Sequence, residues 1–327
     1  MSEDVLARFD VLLVDLDGTL YTGSSAVPGA VEAIATAQDR GVRISYVTNN
    51  ASRRPSEVAA QLAGLGFPAT TEDVRTSSQA GAAMLAAQLP EGARVLVVGT
   101  SALAEEVTRR GLRVVDSAED ADAVIQGHSP DTGWRDLAEA TLAVRRGAVW
   151  VATNVDPTLP TERGPMPGNG SLVGVVRIAS GVEPQVAGKP APTLIEEALT
   201  ASGREHGLVI GDRLDTDIQG GNAAGLPTLV VLTGVSTPRE VLEAPEPLRP
   251  TYVGADLGAL LRRPEELAPG PGDGWAVDGE LVLSGEGSDL DALRALCALH
   301  WAAGGGEARV RAEGGAARAA VARLGLG

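Results

Sequence analysis

The chain has 327 residues, a formal net charge of −16 and one cysteine. Such an acidic composition argues against nucleic acid or an anionic membrane as a partner, and a single thiol excludes a disulfide framework. No apolar run approaches the roughly 20 residues of a membrane span, and the first ten residues lack the layout of a signal peptide. We therefore expect a soluble, cytoplasmic protein of two or three domains.

The first predicted strand, residues 11–14, is a run of four apolar residues that is followed by two aspartates. Asp15 and Asp17 lie two positions apart, so an extended chain would point both side chains to the same side. Gly18 then allows a sharp turn that brings backbone N–H groups close to a ligand. In open α/β sheets, ligands bind at the carboxyl ends of the strands. The pattern also fits a capped strand end, whereas a calcium loop fits poorly because no spaced run of acids ending in Glu follows.

Predicted strands and helices alternate after this first strand. Residues 28–40 and 55–65 are predicted helices, and residues 42–47 form a strand that ends at Thr48 and Asn49. A second alternation follows, with helices at 81–89, 103–110 and 134–146, strands at 95–98, 123–125 and 149–151, and a helix to about residue 179 that Ser171 caps. The first alternation then resumes, with a helix at 193–200 and strands at 207–210, 228–232 and 252–253.

This order predicts an α/β fold in which a doubly wound, Rossmann-like parallel-sheet core is interrupted by an inserted α/β domain. The composition changes from about residue 255, and residues 264–274 are rich in Pro, Gly and acidic residues, so residues 257–274 are predicted to form a linker. The predicted domains are a discontinuous core at 1–79 and 183–256, an insert at 80–182, and a C-terminal appendage at 275–327.

The C-terminal appendage is predicted to be a small α+β unit. Residues 275–283 have the pattern of a hairpin with Asp278-Gly279 as its turn. Ser288 begins a segment whose apolar residues fall at helical spacing. A short strand near Arg309 and a helix rich in Ala and Arg complete the predicted order.

Polar side chains follow four predicted elements of the core at positions where ligands bind. They are Asp15 with Asp17, Thr48 with Asn49, Lys189, and Asp212 with Asp217. Converging carboxylates without a His or Cys cluster favour a hard cation such as Mg²⁺. A hydroxyl, an amide and a lysine around that cation would make a phosphate site. With the metal satisfying part of one carboxylate, another is free to attack phosphorus and form an aspartyl-phosphate.

The order of these motifs resembles the haloacid dehalogenase-like hydrolases. The motifs are D-L-D-G-T-L, then V-T-N-N, then a lone Lys in A-G-K-P, then G-D-R-L-D-T-D. The long insert, with T-N-V-D-P-T-L-P and P-G-N-G-S-L, is similar to the branch with a large α/β (C2-type) cap domain, which contains p-nitrophenylphosphatase and phosphoglycolate phosphatase. The resemblance covers residues from about 9 to 253. It implies a Mg²⁺-dependent phosphatase for a small phosphorylated metabolite.

The resemblance implies a role for each matched carboxylate. Asp15 would be the nucleophile and a Mg²⁺ ligand. Asp17 would protonate the leaving oxygen and then activate water, while its backbone carbonyl contacts the metal. Asp212 would be a further Mg²⁺ ligand, and Asp217 would orient waters from outside the ligand set. Asp15 must stay ionised to attack, whereas Asp17 must hold a proton in the first step.

The resemblance also implies which groups bind the phosphoryl group. Thr48 and Asn49 would hold it together with backbone N–H groups near Leu16 and Gly18. Lys189 would neutralise charge between the nucleophile and the phosphate. Arg163, in the loop at 161–171, is the nearest charged candidate for binding the other end of the substrate.

The composition and the P-T-L-P-T-E-R-G-P loop are similar to actinobacterial members that hydrolyse glycerol 3-phosphate. We therefore favour that substrate, with 2-phosphoglycolate or a nucleoside monophosphate as alternatives. The appendage faintly resembles part of an N-acetyltransferase fold, so a bifunctional protein with an acetyltransferase-like binding module is a further alternative. The glycine-rich pyrophosphate loop of that family is not evident, which favours a structural appendage. A homodimer through the cap or the appendage is also predicted.

Overall fold

The computed structural model describes residues 4–159, 161 and 163–327. The chain divides into two compact units, of which the first comprises Met1–Tyr46, Leu65–Pro68 and Leu199–Gly327 and the second comprises Val47–Gly64 and Ala69–Ala198. The domain boundaries drawn from the sequence stay predictions. Within the described part of the chain, no helix has the length and apolar character that crossing a membrane would require.

The first unit is built on a parallel sheet whose strands, in spatial order, are Tyr252–Gly254, Thr228–Val231, Gly207–Gly211, Val11–Val14 and Arg43–Thr48. The strand Val11–Val14 pairs in parallel with Gly207–Gly211 on one side and with Arg43–Thr48 on the other. All of its residues are buried, as expected for a strand covered on both faces. Because the chain places later strands on both sides of the first one, the sheet is doubly wound, and the predicted fold class is confirmed.

The helices that flank the core sheet of the first unit have five or ten residues each. Helix Ala30–Asp39 begins after Gly29, which adopts a φ of 78° in the left-handed region that glycine enters without strain. Ala30, Ala33, Ile34 and Ala37 form the buried face of this helix. The other helices of the core sheet are Gln219–Ala223 and Pro238–Leu242, with a π-helical turn at Leu214–Ile218 and 3₁₀ turns at Val5–Arg8, Glu246–Leu248, Leu257–Leu261 and Pro264–Glu266. The last two turns lie in the segment that the sequence predicts to be a linker.

The second unit has its own parallel sheet, with strands in the spatial order Gln185–Val186, Val149–Ala152, Ala123–Gln126, Arg94–Val98 and Arg113–Val115. Its helices are Pro55–Gly64, Ser77–Gln88, Ser101–Arg109, Trp134–Arg145 and Asn169–Ser180, and helix Thr193–Ser202 has residues in both units. Strand Val74–Thr76 and the antiparallel pair Thr158–Leu159 and Met166–Pro167 complete it. The predicted inserted α/β fold is therefore present.

Two predicted helix starts in the second unit are wrong. The helix predicted from residue 81 begins at Ser77, because Thr76 accepts a hydrogen bond from the N–H of Gln79 and so caps it. Ser171 is not a cap: the helix begins at Asn169, and the Ser171 Oγ donates to the Pro157 carbonyl at 2.7 Å.

The appendage forms a three-stranded sheet in the order Trp275–Val277, Val282–Gly285 and Arg311–Glu313, with helices Asp289–Ala302 and Gly315–Arg323. The first two strands are antiparallel and the last two are parallel. The predicted turn is confirmed, since Asp278 Oδ1 accepts from the N–H groups of Glu280 and Val282. The predicted helix start at Ser288 is also confirmed, because Ser288 Oγ accepts from the N–H of Asp291 at 3.2 Å and so caps the helix Asp289–Ala302.

The appendage and the core of the first unit share one apolar cluster. Its buried members include Val241, Leu242 and Val253 from the core and Leu293 and Leu296 from the long appendage helix. Burial of such side chains stabilises the packing by about 25 cal/mol for each Å² of apolar surface removed from water. The appendage is therefore an integral part of the first unit.

One buried arginine ties the long appendage helix to the core sheet. Arg294 is 2% exposed, donates from Nε and Nη2 to the Val253 carbonyl, and pairs with Asp291 at 2.7 Å. Burial lowers the pKa of Arg294, while Asp291 opposes that effect. The buried guanidinium charge of Arg294 is tolerated because its Nε, Nη1 and Nη2 donors all have hydrogen-bond partners.

We expect Arg294→Ala to lower the free energy of unfolding by about 3 kcal/mol, because it leaves the Val253 carbonyl and Asp291 without their buried donor. Urea denaturation of the purified protein measures this loss. Arg311→Ala is the matched control, since Arg311 pairs with Glu280 where both side chains are largely exposed, and its cost should stay below about 1 kcal/mol. Equal losses in the two variants would contradict the role given to Arg294.

Candidate active site

Three carboxylates of the first unit lie together beyond two adjacent strands. Asp15 follows Val11–Val14, and Asp212 follows its parallel neighbour Gly207–Gly211. One oxygen each from Asp15, Asp212 and Asp217 lies within 4.8 Å of the others. Asp212 and Asp217 are buried, and Asp15 is partly buried. Several carboxylate oxygens at this spacing are a donor set that suits Mg²⁺, so the residues fit the predicted cation.

Asp212 is fixed between two glycines and two hydrogen-bond donors. The N–H of Val235 donates to its Oδ2 at 2.7 Å, and Thr19 Oγ1 lies 3.5 Å from its Oδ1. A Cβ on Gly18 would lie 2.4 Å from Oδ2, and a Cβ on Gly234 would lie 2.0 Å from it. Gly18 also has a φ of 85°, so it serves both the predicted turn and this close approach. The carboxylate therefore has little freedom to move.

Asp217 lies on the π-helical turn Leu214–Ile218, a rare conformation that often occurs at functional sites. The N–H of Arg213 donates to Asp217 Oδ2 at 3.1 Å. Asp215, on the same turn, is exposed and pairs with the Arg213 guanidinium at 2.8 Å. That guanidinium lowers the pKa of Asp215. The turn thus directs Asp217 to the carboxylate group and leaves Asp215 at the surface.

Asp17 lies outside the carboxylate group found among the described residues. Its side chain is exposed, yet partial desolvation by the surrounding protein raises its pKa, and a hydrogen bond from the Gly18 backbone opposes the effect. A raised pKa favours the protonated form that a general acid needs. The Gly18 N–H also donates to the Tyr21 carbonyl at 2.8 Å, and Leu16 is buried.

In the second unit, Asn49 links the segments that contain the other predicted site residues. Its Nδ2 donates to the Lys189 carbonyl at 2.9 Å and lies 3.3 Å from an Asp156 oxygen. Its own carbonyl accepts from Ser77 Oγ at 2.6 Å and from Asn154 Nδ2 at 2.7 Å. Asn49 is thus held from several directions within this unit.

Lys189 is only 2% exposed, unlike most lysines. Its Nζ lies 3.4 Å from the Val47 carbonyl. The preceding Gly188 is required by space, because a Cβ there would lie 2.6 Å from Asn49 Oδ1. The Thr48 Oγ1 accepts from the Asn50 N–H at 3.1 Å. Hydrogen bonds within the second unit therefore hold the segments of Thr48, Asn49 and Lys189 next to one another.

Arg163 lies on an exposed loop of the second unit, and its backbone N–H donates to Thr161 Oγ1 at 3.2 Å. Its neighbours Pro160 and Glu162 lie outside the described residues. The role of Arg163 in substrate binding stays a prediction.

Several residues of these two regions were not assigned a role from the sequence. Thr19 and Asp156 lie inside the quoted motifs D-L-D-G-T-L and T-N-V-D, so their motifs offered a signal. Val235 and Gly234 offered none, because nothing in the sequence connects them with Asp212. Only the folded chain shows that they enclose its carboxylate.

Comparison with known families agrees with this geometry. A family model described as haloacid dehalogenase-like hydrolase matches residues 12–113, and one described as HAD-hydrolase-like matches residues 186–260. Curated relatives that are 36% to 53% identical each align over at least 80% of this chain. The chain belongs to the haloacid dehalogenase-like hydrolases, and the resemblance drawn from its motifs is confirmed.

Particular relatives are phosphatases. The chain is 53% identical over 294 residues to the D-glycerol 3-phosphate phosphatase of Mycobacterium tuberculosis, a match that spans 89% of this chain and 82% of that protein. It is 38% identical to an acid sugar phosphatase of Staphylococcus aureus over 80% of this chain and all of that protein. The crystal structure of the glycerol phosphate phosphatase of M. tuberculosis in complex with magnesium is similar over both whole chains, with 50% identity and a TM-score of 0.95.

Another similar structure aligns with only part of this chain. The p-nitrophenyl phosphatase of Archaeoglobus fulgidus is 29% identical, has a TM-score of 0.72, and covers 78% of this chain and 98% of its own. Residues 273–326 match a model described as a GCN5-related N-acetyltransferase-like domain. This match agrees with the resemblance predicted for the appendage.

Proposed function

We propose that this protein is a Mg²⁺-dependent phosphatase that hydrolyses a small phosphorylated metabolite, with glycerol 3-phosphate as the favoured substrate. The observation on which the proposal rests is the group of Asp15, Asp212 and Asp217 beyond two adjacent parallel strands. The 53% identity to a D-glycerol 3-phosphate phosphatase supports the choice of substrate. 2-Phosphoglycolate and nucleoside monophosphates are the alternatives that the same chemistry allows.

Asp15 and Asp212 would hold the cation directly, together with the backbone carbonyl of Asp17. Asp217 would support the site through hydrogen bonds rather than as a direct ligand. When bound, Mg²⁺ supplies positive charge that offsets the developing charge on the phosphoryl oxygens.

The proposed reaction has two steps in which Asp15 and Asp17 act in turn. Asp15 attacks phosphorus, the bond to the leaving oxygen breaks, and Asp17 gives its proton to that oxygen, so an alcohol leaves and an aspartyl-phosphate remains. Asp17 then takes a proton from a water molecule that attacks phosphorus, which releases inorganic phosphate and restores Asp15. The raised pKa of Asp17 supports its protonated state at the start of the first step.

Thr48, Asn49 and Lys189 are proposed to bind the phosphoryl group, with backbone N–H groups near Leu16 and Gly18. The burial of Lys189 supports a specific role for its charge, because a buried ammonium group is costly unless it has partners. Arg163 is proposed to bind the end of the substrate away from the phosphate.

A cytoplasmic location is also proposed, since the single cysteine, Cys297, is a free thiol and a chain that forms no disulfide framework suits a reducing compartment. The predicted homodimer stays a prediction that analytical ultracentrifugation would check.

The acetyltransferase-like match of the appendage supports its fold, and we propose a structural role for it within the first unit.

A substrate panel tests the proposed function. It contains both glycerol 3-phosphate enantiomers, 2-phosphoglycolate, uridine and adenosine monophosphates, pyridoxal phosphate and p-nitrophenyl phosphate. We expect release of phosphate that requires Mg²⁺, with kcat/KM for glycerol 3-phosphate at least about tenfold above the others, which equals about 1.4 kcal/mol of transition-state preference. The measurement is inorganic phosphate released with MgCl₂ or with excess EDTA.

The panel separates the chemistry from the substrate. A higher kcat/KM for another metabolite would overturn glycerol 3-phosphate and keep the phosphatase. Phosphate release that is unchanged by EDTA, or no release even from p-nitrophenyl phosphate, would overturn the roles given to Asp15 and Asp212.

A further inference from the structure

We propose that the C-terminal appendage positions the carboxylate of Asp212, and that it acts through the segment 233–243 of the core. The inference rests on the proposed function, in which Asp212 holds Mg²⁺. The segment begins beside Asp212 and ends in a helix that packs against the appendage, so it connects the carboxylate group with the appendage.

The beginning of the segment is bonded to Asp212 and to the turn beside it. The N–H of Val235 donates to Asp212 Oδ2 at 2.7 Å, and the N–H of Ser236 donates to the Asp212 carbonyl at 3.0 Å. Thr233 Oγ1 donates to the Gly18 carbonyl at 2.6 Å. The orientation of Asp212 therefore depends on where residues 233–236 lie.

The end of the segment is a helix of five residues, Pro238–Leu242, which Thr237 caps. A helix this short is not stable alone in water, so its position depends on what packs against it. The buried Val241 and Leu242 belong to the apolar cluster that also contains Leu293 and Leu296 of the appendage. The appendage is thus a large part of what holds this helix.

Polar contacts to the appendage fix the same helix. Arg239 Nη2 donates to the Gly325 carbonyl at 3.2 Å, and Trp301 Nε1 donates to the Leu242 carbonyl at 2.9 Å. Glu243 Oε1 accepts from the Ala308 N–H at 3.1 Å. Each contact joins a different part of the appendage to the segment. Loss of one contact should loosen the helix and, through residues 233–236, the orientation of Asp212.

Arg239→Ala and Trp301→Phe test the proposal in the full-length protein. Phe keeps an aromatic ring at this position, where Arg249 lies 5.4 Å from the centre of the Trp301 ring, but removes the N–H that donates to the Leu242 carbonyl. Isothermal titration calorimetry with MgCl₂, after removal of metal with EDTA and dialysis, measures the Kd for Mg²⁺. We expect each variant to raise that Kd by about 3- to 10-fold, within the range of indirect couplings. At saturating Mg²⁺, KM for the substrate should be unchanged.

Arg323→Ala is the matched control. Arg323 makes a bidentate ion pair with Asp289 inside the appendage, at 2.7 Å for each bond, so this variant, like Arg239→Ala, removes an ion-paired arginine. We expect its Kd for Mg²⁺ to stay within about twofold of the parent, well below the expected effect of the other two variants. Thermal melting of all three variants checks that each is folded at the temperature of the titration.

The outcomes separate this inference from the proposed function. If the parent binds Mg²⁺ and all three variants bind it equally well, the appendage only stabilises the fold and the inference is overturned. If Arg323→Ala weakens binding as much as the other variants, the effect does not pass through the segment 233–243, which also overturns it. A parent that binds no Mg²⁺ would overturn the proposed function and, with it, this inference.

Discussion

Replacing Asp15 with Asn is expected to lower the rate of phosphate release by roughly 10⁴-fold or more. The amide has nearly the same shape as the carboxylate but is neutral and cannot attack phosphorus. The substitution also removes one of the three carboxylates that lie within 4.8 Å of one another, so Mg²⁺ binding should weaken as well. Single-turnover phosphate release measures the first effect, and thermal melting shows whether the fold is retained.

Asp10→Asn is the control for this variant. Asp10 precedes the strand Val11–Val14, whereas Asp15 follows it, so the two aspartates lie at opposite ends of one strand. Asp10 Oδ1 accepts a hydrogen bond from the His206 N–H at 3.0 Å, which the amide oxygen of Asn retains. This variant should keep its activity within about threefold. An Asp15→Asn protein with most of its activity, or equal losses in both variants, would refute the proposed nucleophile.

The position of the carboxylates could be predicted because two strong local signals agree. A continuous run of apolar residues at Val11–Val14 indicates a strand buried on both faces, and acidic residues directly after it have no packing reason to be there. The same reasoning applies to Asp212 after Gly207–Gly211. Parallel pairing of these strands then places both acids at one edge of the sheet. The apolar runs of the strands and their order in the chain are therefore sufficient to predict where Asp15 and Asp212 lie.

The surroundings of Asp212 could not be predicted, because they depend on contacts between residues far apart in the chain. Gly234 lies in a loop with no recognisable pattern, yet a Cβ there would overlap the carboxylate. The two wrong helix starts have a different cause. Thr76 and Gln79 lie three residues apart and form a capping box, a local signal that the hydrophobic pattern alone overlooks. The other helix begins at Asn169, and Ser171 donates to the Pro157 carbonyl instead of capping it.

The contacts between the appendage and the core also could not be predicted from the sequence. The spacing of apolar residues after Ser288 predicts a helix with a buried face, but the pattern does not say what covers that face. The structure places the core residues Val241, Leu242 and Val253 there. Arg294 interrupts the apolar face, and its purpose is clear only from its bonds to the Val253 carbonyl.

Replacing Gly234 with Ala is expected to weaken Mg²⁺ binding by at least about tenfold and to lower kcat/KM by about 100-fold. The added Cβ would lie 2.0 Å from Asp212 Oδ2 and 2.5 Å from its Cγ, so the carboxylate must move. Since Gly234 is not among the glycines with positive φ, the backbone accepts Ala and the effect comes from this displacement. Calorimetric titration with MgCl₂ and steady-state kinetics over a range of Mg²⁺ measure the two losses.

Gly279→Ala is the appropriate control, because Gly279 also lacks a positive φ and has no atom within 4 Å of the Cβ position. Gly18→Ala is a poor control, because the φ of 85° at that residue adds backbone strain to the same overlap with Asp212. If Gly234→Ala and Gly279→Ala bind Mg²⁺ as tightly as the parent, Asp212 tolerates displacement, and its confinement between Gly18 and Gly234 does not set the affinity. A loss confined to Gly234→Ala would instead assign part of the metal affinity to the absence of a side chain at residue 234.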